Sequence, residues 1–178
     1  MSILKFKPTS KQATQPGMGG TIYLAPIDVF DAIATAPSTG TVAGATTTIV
    51  DDHTFITIAT KMQGFVKIPL IATKSGKYGF KTEGDFPAEK TVSEFEAMAV
   101  GLDATQTEWI KALKGKPMIA LIEDAECQAG RIVQIGCKCK PVASVKFEWS
   151  SDNNELKMTG SAECMLNDYQ GVITEMTY

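Results

Sequence analysis

From Ile119 to Met165 the chain reads as one β-strand after another. Val145, Phe147 and Trp149 alternate with Lys146, Glu148 and Ser150. Leu156, Met158, Gly160, Ala162 and Cys164 alternate with Lys157, Thr159, Ser161 and Glu163. A period of two puts each set on one side of a strand, so the Val145/Phe147/Trp149 side is expected in the core. Ser151-Asp152-Asn153-Asn154 between these runs predicts a hairpin turn. Met118 to Ile122 is continuously apolar, as expected of a central strand, and Arg131 to Cys139 returns as its antiparallel partner. Pro141 breaks that run before Val142 to Ser150, and Val172 to Met176 reads as a closing strand.

The first half is less regular. Residues 1–20 end in Gln15-Pro16-Gly17-Met18-Gly19-Gly20, which predicts an irregular N-terminal arm. A phosphate-binding glycine loop would be followed by Lys-Ser or Lys-Thr, whereas Thr21-Ile22 follows here. Thr21 to Ala25 predicts a short strand stopped by Pro26. Residues 35–48, TAPSTGTVAGATTT, hold too little apolar surface to fold alone, so a long loop is expected within residues 35–50. Strands are expected at Thr54–Thr60, Gly64–Thr73 and Tyr78–Glu83. Pro69 makes the second of these an edge or broken strand. Thr91 to Val100 reads as a strand rather than a helix opened by a Ser93/Glu96 capping box, because Thr91, Val92 and Phe95 favour extended backbone. One helix is signalled, from the N-cap candidate Asp103 to Lys114. Its stripe is Trp109, Ile110 and Leu113, and Gly115 and Pro117 close it. A helix this short needs its Trp109 side docked on a sheet. The expected architecture is mainly β: an antiparallel β-sandwich or partly closed barrel over residues 21–178 with one short flanking α-helix.

Composition adds exclusions. The chain has 178 residues and a net charge of −3. That balance argues against a nucleic-acid grip, which needs clustered lysine and arginine. No segment approaches the roughly 20 apolar residues of a membrane span, and MSILKFKPTSKQ is not a secretory signal. Cytoplasmic synthesis with reduced cysteines is the expectation. Cys127, Cys137, Cys139 and Cys164 lack zinc-site spacing, and the last three read as small core hydrophobes. The single histidine, His53, follows Asp51 and Asp52. Consecutive strand residues point to opposite sides, which weakens an acid–base cluster there. Glu94 and Glu96 share one side of their strand and read as a solvated edge rather than a glycosidase pair. No catalytic, cofactor-binding or metal-binding residues are expected, and the protein does not read as an enzyme.

The layout resembles the tail tube proteins of long-tailed bacteriophages and the related inner-tube proteins of contractile injection systems. The segments that carry the resemblance are GMGGTIYLA, the Glu83-Gly84-Asp85 turn, the Asp103–Lys114 helix leading into MIALIED, RIVQIG, and the hairpin KFEWSSDNNELKMTGSAE. The resemblance implies a virion structural protein that self-assembles into stacked homo-hexameric rings in the host bacterial cytoplasm. Those rings would form a hollow tube, bind other tail proteins, and let DNA pass without holding it. Other readings are an inner tube of a contractile secretion system, a capsid decoration or tail-completion protein, or a small-molecule-binding β-barrel with Phe147 and Trp149 lining its cavity.

Overall fold

The computed structural model describes residues 18–35, 49–58, 61–71, 76–85, 87–100, 104–124, 131–152 and 154–176. The strands of the first half are β1 (Thr21–Pro26), β2 (Phe30–Ala32), β3 (Ile49–Val50), β4 (Thr54–Phe55), β5 (Thr57–Ile58), β6 (Lys61–Met62), β7 (Val66–Pro69), β8 (Gly76–Glu83) and β9 (Lys90–Val100). The helix α1 (Ala104–Leu113) follows, then β10 (Met118–Glu123), β11 (Ile132–Ile135), β12 (Lys146–Ser150), β13 (Glu155–Ala162) and β14 (Asn167–Tyr169). The fold is mainly β with a single α-helix among the described residues, as the alternation requires.

Two sheets stack face to face. One has six strands in the order β3-β14-β11-β10-β1-β7, and the other four in the order β12-β13-β9-β8. All pairings are antiparallel except β14 with β3. The bridge Leu70–Ala99 ties the residue after β7 to β9, the bridge Met118–Val142 ties β10 to the segment ahead of β12, and the sheets do not close into a barrel. Ile22, Leu24, Met118, Ala120 and Ile122 meet Phe95, Ala97, Leu156 and Met158 in the core between them.

The six-stranded sheet is also covered on its other side. Tyr23, Ala25, Ile119, Leu121 and Tyr169 pack there with Phe65, beneath Phe30, Ile33, Phe55 and Ile173. This double cover explains why Met118 to Ile122 is apolar without alternation: both sides of that strand lie in a core. Pro69 sits on the outer strand β7, where its missing N–H interrupts no ladder. Thr91–Val100 is a strand, and the buried hydroxyl of Ser93 donates to the Cys164 carbonyl instead of capping a helix. On α1, Leu113 is buried and Trp109 and Ile110 pack against the inter-sheet core. Trp109 meets Phe147 edge to face at 6.3 Å.

Several expectations are corrected. Trp149 is 49% exposed and not in the core. It points to the same side as Leu156, but β12 is an outer strand. The helix reaches Phe147 through Trp109 and extends no cover to Trp149 among the described residues. The Arg131–Cys139 strand stops at Ile135, because Gly136 takes a positive φ of 92° and turns the chain. Cys137 and Cys139 therefore leave the side shared by Val133 and Ile135, and Cys139 is exposed. Thr54–Thr60 is broken into β4 and β5, which pair with β2 and β6 in separate small sheets. Val172–Met176 contributes only the bridge Glu175–Phe65, and the strand near the C-terminus is Asn167–Tyr169. Met18, placed in the N-terminal arm, is fully buried in the inter-sheet core, and Gly19 donates to the Glu123 carbonyl at 2.6 Å. Residues 1–17, residues 36–48 of the long loop, Asp103 and Cys127 lie outside the described residues.

Gly160 gives a test of the packing. A Cβ there would lie 2.7 Å from Phe95 Cε1 and 2.8 Å from Val142 Cγ1. Gly160→Ala is expected to cost about 1–3 kcal/mol by overpacking. Met158→Ala should cost about 2–5 kcal/mol, and the half-exposed Trp149→Ala much less than the 3–5 kcal/mol of a buried tryptophan. Urea denaturation of the three variants checks the order; an equal cost for Trp149→Ala and Met158→Ala would place Trp149 in a core.

Candidate functional site

Among the described residues, the four-stranded sheet differs from its partner in that only one of its sides is covered by a core cluster. Its open side carries Lys77, Lys81, Lys90, Lys146 and Lys157 against Glu83, Glu94, Glu96, Glu148, Glu155 and Glu163, by the strand alternation. Cross-strand ion pairs join them, Lys81 to Glu94 at 3.3 Å and Lys157 to Glu96 at 3.2 Å. Pairs this exposed add little stability, yet they leave the surface nearly neutral in charge. Lys77, Glu94, Glu96, Lys146, Thr159 and Ser161 border a shallow trough of about 530 Å³ on this side.

Among the described residues, both outer strands of the sheet, β8 and β12, have a neighbouring strand on one side only. Each also carries a large aromatic side chain in water: Phe80 is 54% exposed on β8 and Trp149 is 49% exposed on β12. Register puts both on the core-facing side of the sheet, since Phe80 pairs with buried Ser93 and Trp149 with buried Leu156. They extend past the facing layer rather than under it. An open edge with an apolar anchor beside it is a template for another strand.

The residues considered for catalysis are placed differently. Glu94 and Glu96 do share one side and lie in the lysine-paired lattice just described. His53 is 4% exposed, while Asp51 and Asp52 are exposed, so the three do not converge. The imidazole is held in a donor chain. Ala34 N–H donates to His53 Nδ1 at 3.0 Å, so Nε2 carries the proton and donates to Gln134 Oε1 at 2.8 Å. Gln134 Nε2 then donates to the Gly136 carbonyl at 2.9 Å. Tyr169 stacks on the ring at 5.1 Å and Phe30 meets it edge-on at 5.3 Å. Burial lowers the His53 pKa, opposed by the hydrogen bond to Gln134 and the charge of Asp52. The arrangement is a strut between the loop at 33–35 and β11, in which a neutral ring is required. Gln134 was not singled out in the sequence; its signal was a polar residue inside the apolar run Ile132-Val133-Gln134-Ile135.

Phe147 packs on Trp109 and Trp149 faces water, so the two do not line a common cavity. Among the described residues, no three His, Cys, Asp or Glu side chains are placed to hold a metal ion. No helix among them is long and apolar enough to cross a membrane. No family model, curated protein or solved structure matches the chain.

The strut predicts a pH dependence. The folded pKa of His53 lies below its unfolded value near 6.5, so the unfolded chain binds the extra proton first. The contribution is complete above about pH 6.5 and is lost as pH falls, by at most about 1.4 kcal/mol per pH unit. Urea midpoints at about pH 7.5 and 5.5, a window in which ordinary carboxylates stay ionised, should drop for the wild type and much less for His53→Gln. An equal drop in both proteins would remove His53 as the cause.

Proposed function

We propose that this protein is a structural subunit that joins copies of itself edge to edge into rings, stacked as the tube of a phage-type tail. The observation that carries the reading is the pair of open, unlike edges on one sheet, β8 with Phe80 and β12 with Trp149. Pairing β8 of one copy with β12 of the next is a head-to-tail contact. Such contacts repeat around an axis and close into a ring when the rotation allows it. Each junction would continue the four-stranded sheet into its neighbour and pair the backbone groups of flanks that no described strand adjoins. Phe80 and Trp149 would be covered at the same junction, as aromatic anchors commonly are in interfaces.

The open side of the sheet fits such a ring. Its lysines and glutamates nearly cancel, so it offers DNA no concentrated positive charge. Ring size six, stacking and contacts with other tail proteins follow from the resemblance to tail tube proteins and form part of the proposal.

Sedimentation and negative-stain imaging of concentrated wild-type protein should give rings or tubes. Phe80→Glu and Trp149→Glu change exposed side chains, so each should leave the circular dichroism spectrum unchanged. Each should raise the concentration needed for assembly about 10- to 100-fold, the range of a lost interface anchor. A wild-type protein that stays monomeric, or that stops at a two-fold dimer, would overturn the reading.

A further inference from the structure

We propose that the junction between copies has one register: β12 of one subunit pairs antiparallel with β8 of the next so that Trp149 stands opposite Phe80. The register rests on the head-to-tail pairing of β8 with β12 proposed above, and it fixes which residues meet there. Three antiparallel pairings separate β8 from β12 within the sheet, so the two strands run in opposite directions. A neighbour brought up by rotation therefore sets its β8 antiparallel to β12. Residues opposed in such a pair share a side of the sheet, and a slide of one residue would put Trp149 and Phe80 on different sides. The permitted registers thus differ by steps of two.

Charge selects among them. With Trp149 opposite Phe80, all five residues of β12 face β8: Lys146 meets Glu83, Phe147 meets Thr82, Glu148 meets Lys81, and Ser150 meets Gly79. Lys81 and Glu83 already bond to each other at 3.0 Å, so the junction would set Glu148 and Lys146 against them with the signs alternating. Sliding by two residues opposes Lys146 to Lys81 in one direction and Glu148 to Glu83 in the other. Opposite charges directly across a strand pair stabilise it and like charges destabilise it. A slide of four gives one attraction, Glu148 to Lys77, but sets Trp149 against Gly76. Among the described residues Lys146 and Glu148 lie in no ion pair of their own subunit.

The stagger suits closure. Inside the subunit Phe147 lies in one row with Met158, Ala97 and Gly76. At the junction that row meets Thr82 of the next copy, six residues beyond Gly76 along β8. Six residues of strand span about 20 Å and four strand spacings about 19 Å. The strands would then tilt by about 45° from the ring axis for any number of subunits, within the range that closed barrels adopt.

Wild-type protein is concentrated into its assembled state and treated with a water-soluble carbodiimide, which joins a lysine to a carboxylate in contact with it. Digestion and peptide mass then locate the links. Glu148–Lys81 and Lys146–Glu83 links are expected. Neither can form inside a subunit, where β9 and β13 hold β8 and β12 about 14 Å apart. Lys81–Glu94 and Lys157–Glu96 links should appear in dilute and assembled protein alike. Glu148→Lys should raise the concentration needed for assembly about 3- to 10-fold, and adding Lys81→Glu should return it to within about twofold of wild type. The coupling is read on wild type, so it stands whatever a variant does to folding. A Glu148–Lys77 link in place of Glu148–Lys81, from protein that still assembles, would overturn the register and leave the edge pairing standing. Assembly without any link between β8 and β12, or a protein that stays monomeric, would overturn both.

Discussion

The fold depends on one strand that has no side facing water. Met118, Ile119, Ala120, Leu121 and Ile122 are all completely buried, alternately in the core between the sheets and in the core behind the larger sheet. Each of the larger side chains contributes about 1.5–3 kcal/mol by leaving water. β10 also holds β1 and β11 in register on its two sides and bonds Val142 at its start. The six-stranded sheet, the helix docked beside it and the entry to β12 are all positioned from this strand.

That arrangement leaves an imbalance between the layers. Among the described residues the larger sheet is covered twice, while the four-stranded sheet is covered once and has no strand beyond β8 or β12. Among the described residues β8 and β12 each lack a strand neighbour on their outer flank, and the exposed Phe80 and Trp149 lie on these strands. The open side is a lattice of exposed ion pairs that stabilises little and presents little net charge. The proposed edge-to-edge assembly rests on this difference between the two layers.

Much of this was legible in the residues. The β13 alternation was read with the correct side inward, and Pro69 marked an outer strand. The continuous run at Met118 announced a central strand because burial on both sides removes alternation. The failures share a cause: pattern gives the side of a strand, not how far its cover extends. Trp149 has the inward phase of Leu156 yet lies beyond the reach of α1. Cys137 and Cys139 kept the phase of the strand after Gly136 had already turned the chain. The meeting of His53 with Gln134 joins residues far apart in sequence, and local spacing carries no such information.

The claim that β10 anchors the molecule is tested most directly by native-state hydrogen exchange on the subunit. Amides of Ile119 to Ile122 should exchange only through global unfolding, with a free energy equal to that from denaturation, while the outer strand β12 should exchange through lower-energy local opening. If β10 opens at lower free energy than β9 and β13, the four-stranded sheet is the stable unit and the account is contradicted.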